Sequence, residues 1–226
     1  MKIKEKQNNQ LNDWKQLEED TLKNLYNYFT ELHQSIHKLR RESKEFNDPF
    51  TRAQLCISLI TIDTFSRFSL MFDGIRGDDL ENNNKKRFKK WVREYVINDK
   101  NQVFVKNKQK LSLNEDLFWK IRNSFLHFYS FPKIDEDKGV RLSFEFGVPN
   151  DFSIKVKNHF KEKGFNIKHI DLYLLIDSIF EGIIIWFSSL KQKIKDNPEK
   201  YIESICYVNE IVKNENAKTI LIEDKK

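Results

Sequence analysis

Helical spacing of apolar residues is the feature that most restricts what this chain can fold into. Over residues 8–43, large apolar side chains recur near the 3.6-residue period of an α-helix. Only six glycines and four prolines interrupt the 226 residues, and the 19 phenylalanines recur at helical spacing, as core residues do. The sequence therefore predicts a mainly α-helical bundle with a long extra N-terminal helix.

Five further helices are predicted from the same spacing and from the start and stop signals beside it. They cover residues 51–72, 81–97, 114–128, 171–195 and 198–213. Asn114 and Asp171 stand where an N-cap is needed, and Pro198 stands at the first position of the last helix. The chain shows no repeat and no linker, so we predict one domain over residues 1–226. Its helical core covers about residues 49–195, and residues 198–226 form a C-terminal helix and tail.

Two stretches have the two-residue period of a β-strand instead. Residues 103–105 and 111–113 flank Asn107-Lys108-Gln109, which predicts a small β-hairpin insertion. Residues 140–146 alternate strictly between apolar and polar. Ile154 and Val156 are the expected partner strand after a turn at residues 147–151.

The predicted helix over residues 114–128 carries groups that suit chemistry on a phosphodiester. Residues 122–129 read Arg-Asn-Ser-Phe-Leu-His-Phe-Tyr. An arginine can hold phosphate oxygens through two parallel hydrogen bonds, and a histidine can accept or donate a proton near neutral pH. Arg122, Asn123, His127 and Tyr129 are therefore the candidate catalytic residues.

The spacing of Arg122, His127 and Tyr129 resembles the motif of the HEPN superfamily, with Asn123 directly after the arginine and an amphipathic run over residues 115–121 before it. The resemblance implies a helical domain that acts as a homodimer, with two motifs facing one cleft. Many members are ribonucleases that need no metal, and the resemblance implies no cofactor. In some toxin members a partner nucleotidyltransferase modifies the tyrosine. The long first helix and the strand-containing insert between residues 131 and 168 depart from the minimal pattern.

The resemblance also implies a reaction and a biological setting. The 2′-hydroxyl of RNA would attack the adjacent phosphorus and leave a cyclic phosphate and a free 5′-hydroxyl. His127 would move protons, Arg122 would neutralise charge on the pentavalent phosphate, and Asn123 would orient the phosphate or the imidazole. Tyr129 would contact substrate or serve as a control point. Such a protein would be a toxin or a phage-defence effector, with an antitoxin or a nucleotidyltransferase as its partner.

Helical geometry gives an independent reason to expect a second subunit. Apolar side chains around the motif fill an arc roughly 200° wide at about 100° per residue, which is enough for two packing neighbours. Arg122 and Tyr129 lie within this arc, whereas Asn123, His127 and Lys120 lie on the polar side. Arg122 and His127 point about 140° apart on an ideal helix. Two copies related by a dyad would bring them together better than one.

Each candidate also has an ordinary structural interpretation. Arg122 can pair with Asp116 or with a remote acid. His127 can be a solvated histidine, Tyr129 a core or interface tyrosine, and Asn123 a residue that bonds to backbone. The rival function from another class is a non-catalytic helical module that binds RNA or a protein partner. A nucleotide-binding protein is the least favoured function, because the sequence lacks a phosphate-cradling Gly-rich loop.

The predicted helix over residues 81–97 concentrates positive charge in a chain of net charge +6. Its candidate contacts to an RNA backbone, together with Lys120 of the motif helix, are Lys86, Lys89, Lys90 and Arg93. Three aromatic residues stand among these cations: Phe88, Trp91 and Tyr95. Their rings either stack on RNA bases or face the core, and the core-facing orientation is slightly favoured.

Asp63 stands four residues before Arg67 in the predicted helix over residues 51–72. This spacing favours an ion pair within the helix, with Arg122 as the alternative partner of Asp63. Cys56 and Cys206 lie in apolar surroundings and are interpreted as buried free thiols in a reducing compartment.

No membrane segment is predicted. The first residues carry charge without the apolar run of a signal peptide. Residues 172–190 are apolar but contain Asp177 and Glu181, which is typical of a buried amphipathic helix. The sequence therefore predicts a cytoplasmic protein.

Overall fold

A computed structural model describes residues 2–45, 50–80, 82–106, 113–128, 140–145, 151–164 and 166–223. These residues are mainly helical, which confirms the predicted class. The helices are α1 (Lys2–Glu45), α2 (Thr51–Phe72), α3 (Asn84–Trp91), α4 (Gln102–Lys106), α5 (Glu115–Phe128), α6 (Asp151–Glu162), α7 (Leu172–Asp196) and α8 (Pro198–Glu223). The strands are β1 (Val140–Glu145) and β2 (Asn166–Asp171).

Local capping signals set the starts of the helices as predicted. The Asn114 side-chain oxygen accepts a hydrogen bond from the Leu117 backbone N–H at 2.9 Å and caps α5. Asp171 caps α7 in the same way, accepting from the Leu174 N–H at 3.1 Å. Helix α8 begins at Pro198 but continues well beyond the predicted end near residue 213. No glycine or proline stands in that extension to end the helix.

Both predicted strand pairings are wrong. Gln102–Lys106 is helical, so the first half of the expected hairpin is α4, and residues 107–112 lie outside the described residues. Ile154 and Val156 belong to helix α6. Strand β1 pairs instead with β2 in parallel, with Val140 opposite Asn166. A parallel pair needs a crossover connection, and α6 is that connection.

The described residues form two compact units. One unit takes its residues from the ranges 1–35, 67–83 and 190–226, and the other from 36–66 and 84–189. Helices α1, α2 and α7 contribute residues to both units. The motif helix α5 and the basic helix α3 belong to the second unit. One domain over residues 1–226 stays a prediction.

Aromatic packing holds the helices of the second unit together. The ring of Phe65 on α2 meets the rings of Trp186 and Phe187 on α7 edge to face, with centroids 5.2 and 5.6 Å apart. Phe88 of α3 is fully buried, and its ring centroid lies 5.5 Å from that of Trp119 on α5. This last contact packs the basic helix directly against the motif helix.

A buried asparagine joins the end of α3 to α7. Helix α3 continues into a π-helical turn at Val92–Val96. The Asn101 amide donates hydrogen bonds to the carbonyl of Tyr95 at 3.2 Å and to that of Ser178 on α7 at 2.8 Å. Its side-chain oxygen accepts from the Phe104 N–H at 2.9 Å and caps α4. One side chain therefore fixes three segments of the second unit.

Gly182 of α7 lies close to the backbone of the π-helical turn. A Cβ atom there would lie 2.9 Å from the Tyr95 carbonyl oxygen and 3.2 Å from the Val96 Cγ2. Alanine stabilises a helix interior by about 1 kcal/mol over glycine, but such a clash costs about 1–3 kcal/mol. We expect Gly182→Ala to lower the free energy of unfolding by about 1 kcal/mol in a denaturant titration. Ser188→Ala, on the exposed face of α7, is the control, and a stabilised Gly182→Ala protein would contradict the close approach.

Two helices are long and apolar enough to cross a membrane by length and composition alone, Arg52–Phe72 and Leu172–Asp196. Half of the first apolar window and 56% of the second are buried inside the protein. The core helix of a soluble protein passes the same test, so the two helices are weak evidence for a membrane span.

Candidate functional site

The motif arginine is bound by an acid from another helix. Arg122 donates hydrogen bonds from Nε and Nη2 to Oδ2 of Asp63 on α2, and the Nε–Oδ2 distance is 2.9 Å. Its Nη1 donates to the Asn123 side-chain oxygen at 3.1 Å. Arg122 thus pairs with a remote acid, as one of its structural interpretations predicts. Asp63 therefore pairs with Arg122, the partner that the sequence favoured less than Arg67.

A second arginine shares the carboxylate of Asp63. Nη2 of Arg87 lies 3.7 Å from Oδ1 of Asp63. The Arg87 Nε donates to the Ser66 hydroxyl at 3.1 Å, and that hydroxyl donates to the Asp63 backbone carbonyl at 2.8 Å. We call Asp63, Arg87 and Arg122 the Asp63 cluster. Its members come from helices α2, α3 and α5.

The Asp63 cluster carries one positive charge in excess, since it has two guanidinium groups and one carboxylate. Only 16% of the Arg122 side chain, 17% of Asp63 and 4% of Arg87 are exposed to solvent. Charges act more strongly when they are partly removed from water. Among the described residues, the buried Oδ1 of Asp63 has no hydrogen-bond partner. Because of its net positive charge, the cluster can attract a singly charged anion to Arg122.

An aromatic ring borders the guanidinium of Arg122. The guanidinium carbon lies 5.1 Å from the centroid of the Trp119 ring, within the range of a cation–π contact. Because Trp119 also packs on buried Phe88, it is itself fixed. Arg122 is restrained by Asp63, by Asn123 and by this ring.

The other motif residues are placed less completely. Asn123 is half-buried and bonds to Arg122, so these two candidates are brought together. His127 lies in α5, but its side chain is not among those described. Tyr129 lies outside the described residues. A joint action of Arg122 with His127 and Tyr129 stays a prediction.

Sequence reasoning counted Arg87 only as part of the basic helix and missed its contact with Asp63. The position of Arg87 relative to the aromatic residues of its helix is the signal that could have predicted this contact. Arg87 stands directly before Phe88 and four residues before Trp91, and both aromatic residues are buried. An arginine next to the core-facing side of a helix needs an acid or a hydroxyl as partner. Asp63 on an apolar helix is such an acid.

Cations of α3 and of the π-helical turn that follows it form ion pairs with the acids at the start of α5. Lys89 Nζ lies 2.6 Å from Asp116, and Arg93 Nη2 lies 2.9 Å from Glu115. Lys90 lies 3.8 Å from Glu94 within the helix. These contacts neutralise part of the positive charge that the sequence assigned to RNA binding.

The electrostatics of Asp116 reflect these ion pairs. The hydrogen bond from Lys89, with the positive charges of Lys89, Lys85 and Lys120, lowers the pKa of Asp116 from its usual value. Lys86 and Lys120 are both exposed. The candidate RNA-binding cations therefore lie along α3 and the adjoining part of α5.

Base stacking on the aromatic residues of α3 and of the π-helical turn is not possible in this structure. Phe88 is fully buried, and Trp91 and Tyr95 are 2% and 8% exposed. The favoured prediction, that these rings face the core, is confirmed. Helix α3 can therefore offer an RNA its charges but not these ring faces.

Neither cysteine forms a disulfide. Cys56 and Cys206 are free and partly buried, and burial raises the pKa of the Cys56 thiol. Among the residues that the structure describes, no three His, Cys, Asp or Glu side chains come together as a metal site.

No protein-family model matches the sequence, and searches of curated proteins and of solved structures find no significant match. The HEPN resemblance therefore rests on the motif at residues 122–129.

Proposed function

We propose that this protein is a metal-independent endoribonuclease of HEPN type that acts on RNA as a homodimer. The observation that supports this function best is the fixed position of Arg122. It is bound to Asp63 and Asn123 in a cluster of excess positive charge, on the helix that also bears His127. A fixed cation can stabilise charge that develops in a transition state without first having to reorganise.

In the proposed reaction, the 2′-oxygen of a nucleotide forms a bond to the adjacent phosphorus as the bond to the 5′-oxygen breaks. The 2′-hydroxyl loses a proton, and the departing 5′-oxygen gains one. His127 acts as general base or acid in these transfers. Arg122 neutralises the negative charge on the oxygens of the pentavalent phosphate, and Asn123 orients Arg122. Tyr129 contacts the substrate or serves as a control point.

The proposed homodimer supplies the second half of the cleft. A single helix directs Arg122 and His127 about 140° apart, so a dyad is the simplest way to bring one of each to a shared phosphate. The partner in the cell would be an antitoxin or a nucleotidyltransferase, and the setting a toxin or phage-defence system in the cytoplasm. The cations of α3 and α5 would hold the RNA backbone, through Lys86, Lys89, Lys90, Arg93 and Lys120.

The test is cleavage of total RNA and transfer RNA by the purified protein in excess chelator. We expect Arg122→Ala to reduce the cleavage rate about 100-fold, because removal of one such electrostatic contact typically costs that much. Arg40→Ala is a closely matched control. Arg40 is also 16% exposed, pairs with Asp177 at 2.8 Å and lies 4.7 Å from the Tyr173 ring centroid, yet it lies outside the site. Equal rates for the two variants would contradict the role of Arg122.

One observation favours a second candidate function, a non-catalytic module that binds RNA or a protein. The pairing of Arg122 with Asp63 is also what a purely structural arginine would make. This alternative predicts that the unaltered protein cleaves no RNA although it is folded, and that Arg122→Ala still binds its partner normally.

A further inference from the structure

We propose that the Asp63 cluster is a binding site for one phosphate group of RNA, in which Asp63 positions Arg122 and Arg87 supplies the excess positive charge. The inference rests on the proposed function, in which Arg122 meets the phosphate, and deepens it by naming two residues that act through Arg122. Its test measures binding, so it is independent of cleavage.

Arg122 keeps hydrogen-bond donors for a ligand after its contacts within the protein are made. Asp63 accepts from Nε and from one N–H of Nη2, and Asn123 accepts from one N–H of Nη1. A guanidinium has a further N–H on each of these terminal nitrogens. In the described part of the chain, neither has an acceptor. Two such donors on one planar group can bind two oxygens of a phosphate in parallel.

Asp63 fixes the direction in which those donors point. A free arginine side chain has many rotamers, and ordering it when the ligand binds would weaken binding. Asp63 holds Nε and Nη2 on one side of the guanidinium, and the Trp119 ring borders it. Asp63 lies on α2, and its backbone carbonyl accepts from the Ser66 hydroxyl that also binds Arg87. The carboxylate therefore positions Arg122 before any RNA arrives.

Arg87 acts through its charge and not through contact with the ligand. Only 4% of its side chain is exposed, so it cannot reach an RNA in solution. Without Arg87, the pair of Asp63 and Arg122 would be neutral and would attract anions weakly. With Arg87, the cluster has one positive charge in excess, which matches the single negative charge of a phosphodiester. The charge of Arg87 offsets that of Asp63, so a carboxylate can be part of a phosphate-binding site.

The experiment uses an RNA oligonucleotide with 2′-O-methyl groups, which lacks the attacking hydroxyl and is bound without being cut. Its dissociation constant is measured by fluorescence anisotropy between about 50 and 200 mM salt. Arg122→Gln is expected to weaken binding about tenfold and to reduce the salt slope by about 0.7, the value for one contact to a single strand. The control Arg40→Gln should change neither quantity.

Paired variants separate charge from structure. Arg87→Met should weaken binding about as much as Arg122→Gln, about tenfold, because the cluster becomes neutral. In the double variant Asp63→Asn with Arg87→Met, the cluster again has a net charge of +1, from Arg122. This variant should recover most of the lost affinity. A structural role for Arg87 predicts no such recovery. Asp63→Asn alone keeps an oxygen that accepts from Arg122 and removes a negative charge, so it should keep or increase affinity. Asp63→Ala removes the acceptor as well and should bind less tightly than Asp63→Asn, because Arg122 is then held less firmly.

The outcomes distinguish this inference from the proposed function. If Arg122→Gln or Arg87→Met binds the oligonucleotide as well as the unaltered protein, the phosphate site is refuted, even where RNA is cleaved. If a folded double variant fails to recover affinity, the charge role of Arg87 is refuted. If the binding pattern is as expected but no RNA is cut in any buffer, the phosphate site stands and the endoribonuclease proposal is refuted.

Discussion

Replacement of His127 by alanine is expected to reduce RNA cleavage by 10²–10⁴-fold, roughly the contribution of a general acid–base group. The 2′-hydroxyl is a poor nucleophile until its proton is removed, and the departing 5′-oxygen is a poor leaving group until it gains one. Alanine can do neither. Arg122 and the α3 cations remain in this variant, so the affinity for a non-cleavable RNA should change little.

The measurement is a single-turnover rate on a labelled RNA in excess chelator, with the cyclic phosphate ends identified by mass spectrometry. His159→Ala is the matched control, because His159 is an exposed histidine of α6 in the same unit. Added imidazole should restore part of the activity of His127→Ala, since it can occupy the space left and carry protons. A His127→Ala protein that cleaves at the unaltered rate would remove the basis of the HEPN assignment.

Replacement of Asn101 by alanine should lower the free energy of unfolding by about 4 kcal/mol, from three hydrogen bonds at about 1 kcal/mol each and a buried N–H left unpaired. Asn101 is fully buried, so water cannot replace its contacts to the Tyr95 and Ser178 carbonyls or to the Phe104 N–H. For a chain of this size the loss corresponds to a decrease in Tm of about 10 °C.

Calorimetry and a denaturant titration would measure this change. Asn98→Ala is the matched control, because the Asn98 side chain accepts a hydrogen bond from the Lys100 N–H in an exposed turn. We expect it to cost less than about 1 kcal/mol. If Asn101→Ala also costs less than about 1 kcal/mol, the Asn101 side chain does not fix the end of α3 to α7.

The helices could be predicted from the sequence because their signals are local. Asn114, Asp171 and Pro198 act on the backbone within a few residues, and each begins a helix where expected. The strands could not, because a short apolar stretch does not encode its partner. Ile154 and Val156 alternate like a strand, but they lie in the helix that a parallel pair requires.

The candidate site was predicted only in part, for a related reason. The motif marked Arg122 and Asn123 by spacing within one helix. Neither the choice of Asp63 as the partner of Arg122 nor the role of Arg87 follows from spacing, because the three helices meet only in the folded chain. The sequence favoured the pair of Asp63 with Arg67, because a four-residue spacing identifies a partner within the same helix but not one on another helix.

The 59-residue separation between Asp63 and Arg122 has a consequence for synthesis of the protein. A ribosome adds about 5–20 residues per second, so Asp63 is made roughly 3–12 seconds before Arg122. In the later part of that time the nascent chain already has the cations of α3 but not the motif helix. If the protein cleaves RNA, the cell translating it is therefore exposed to the activity only once the chain has grown past its middle and α5 has docked.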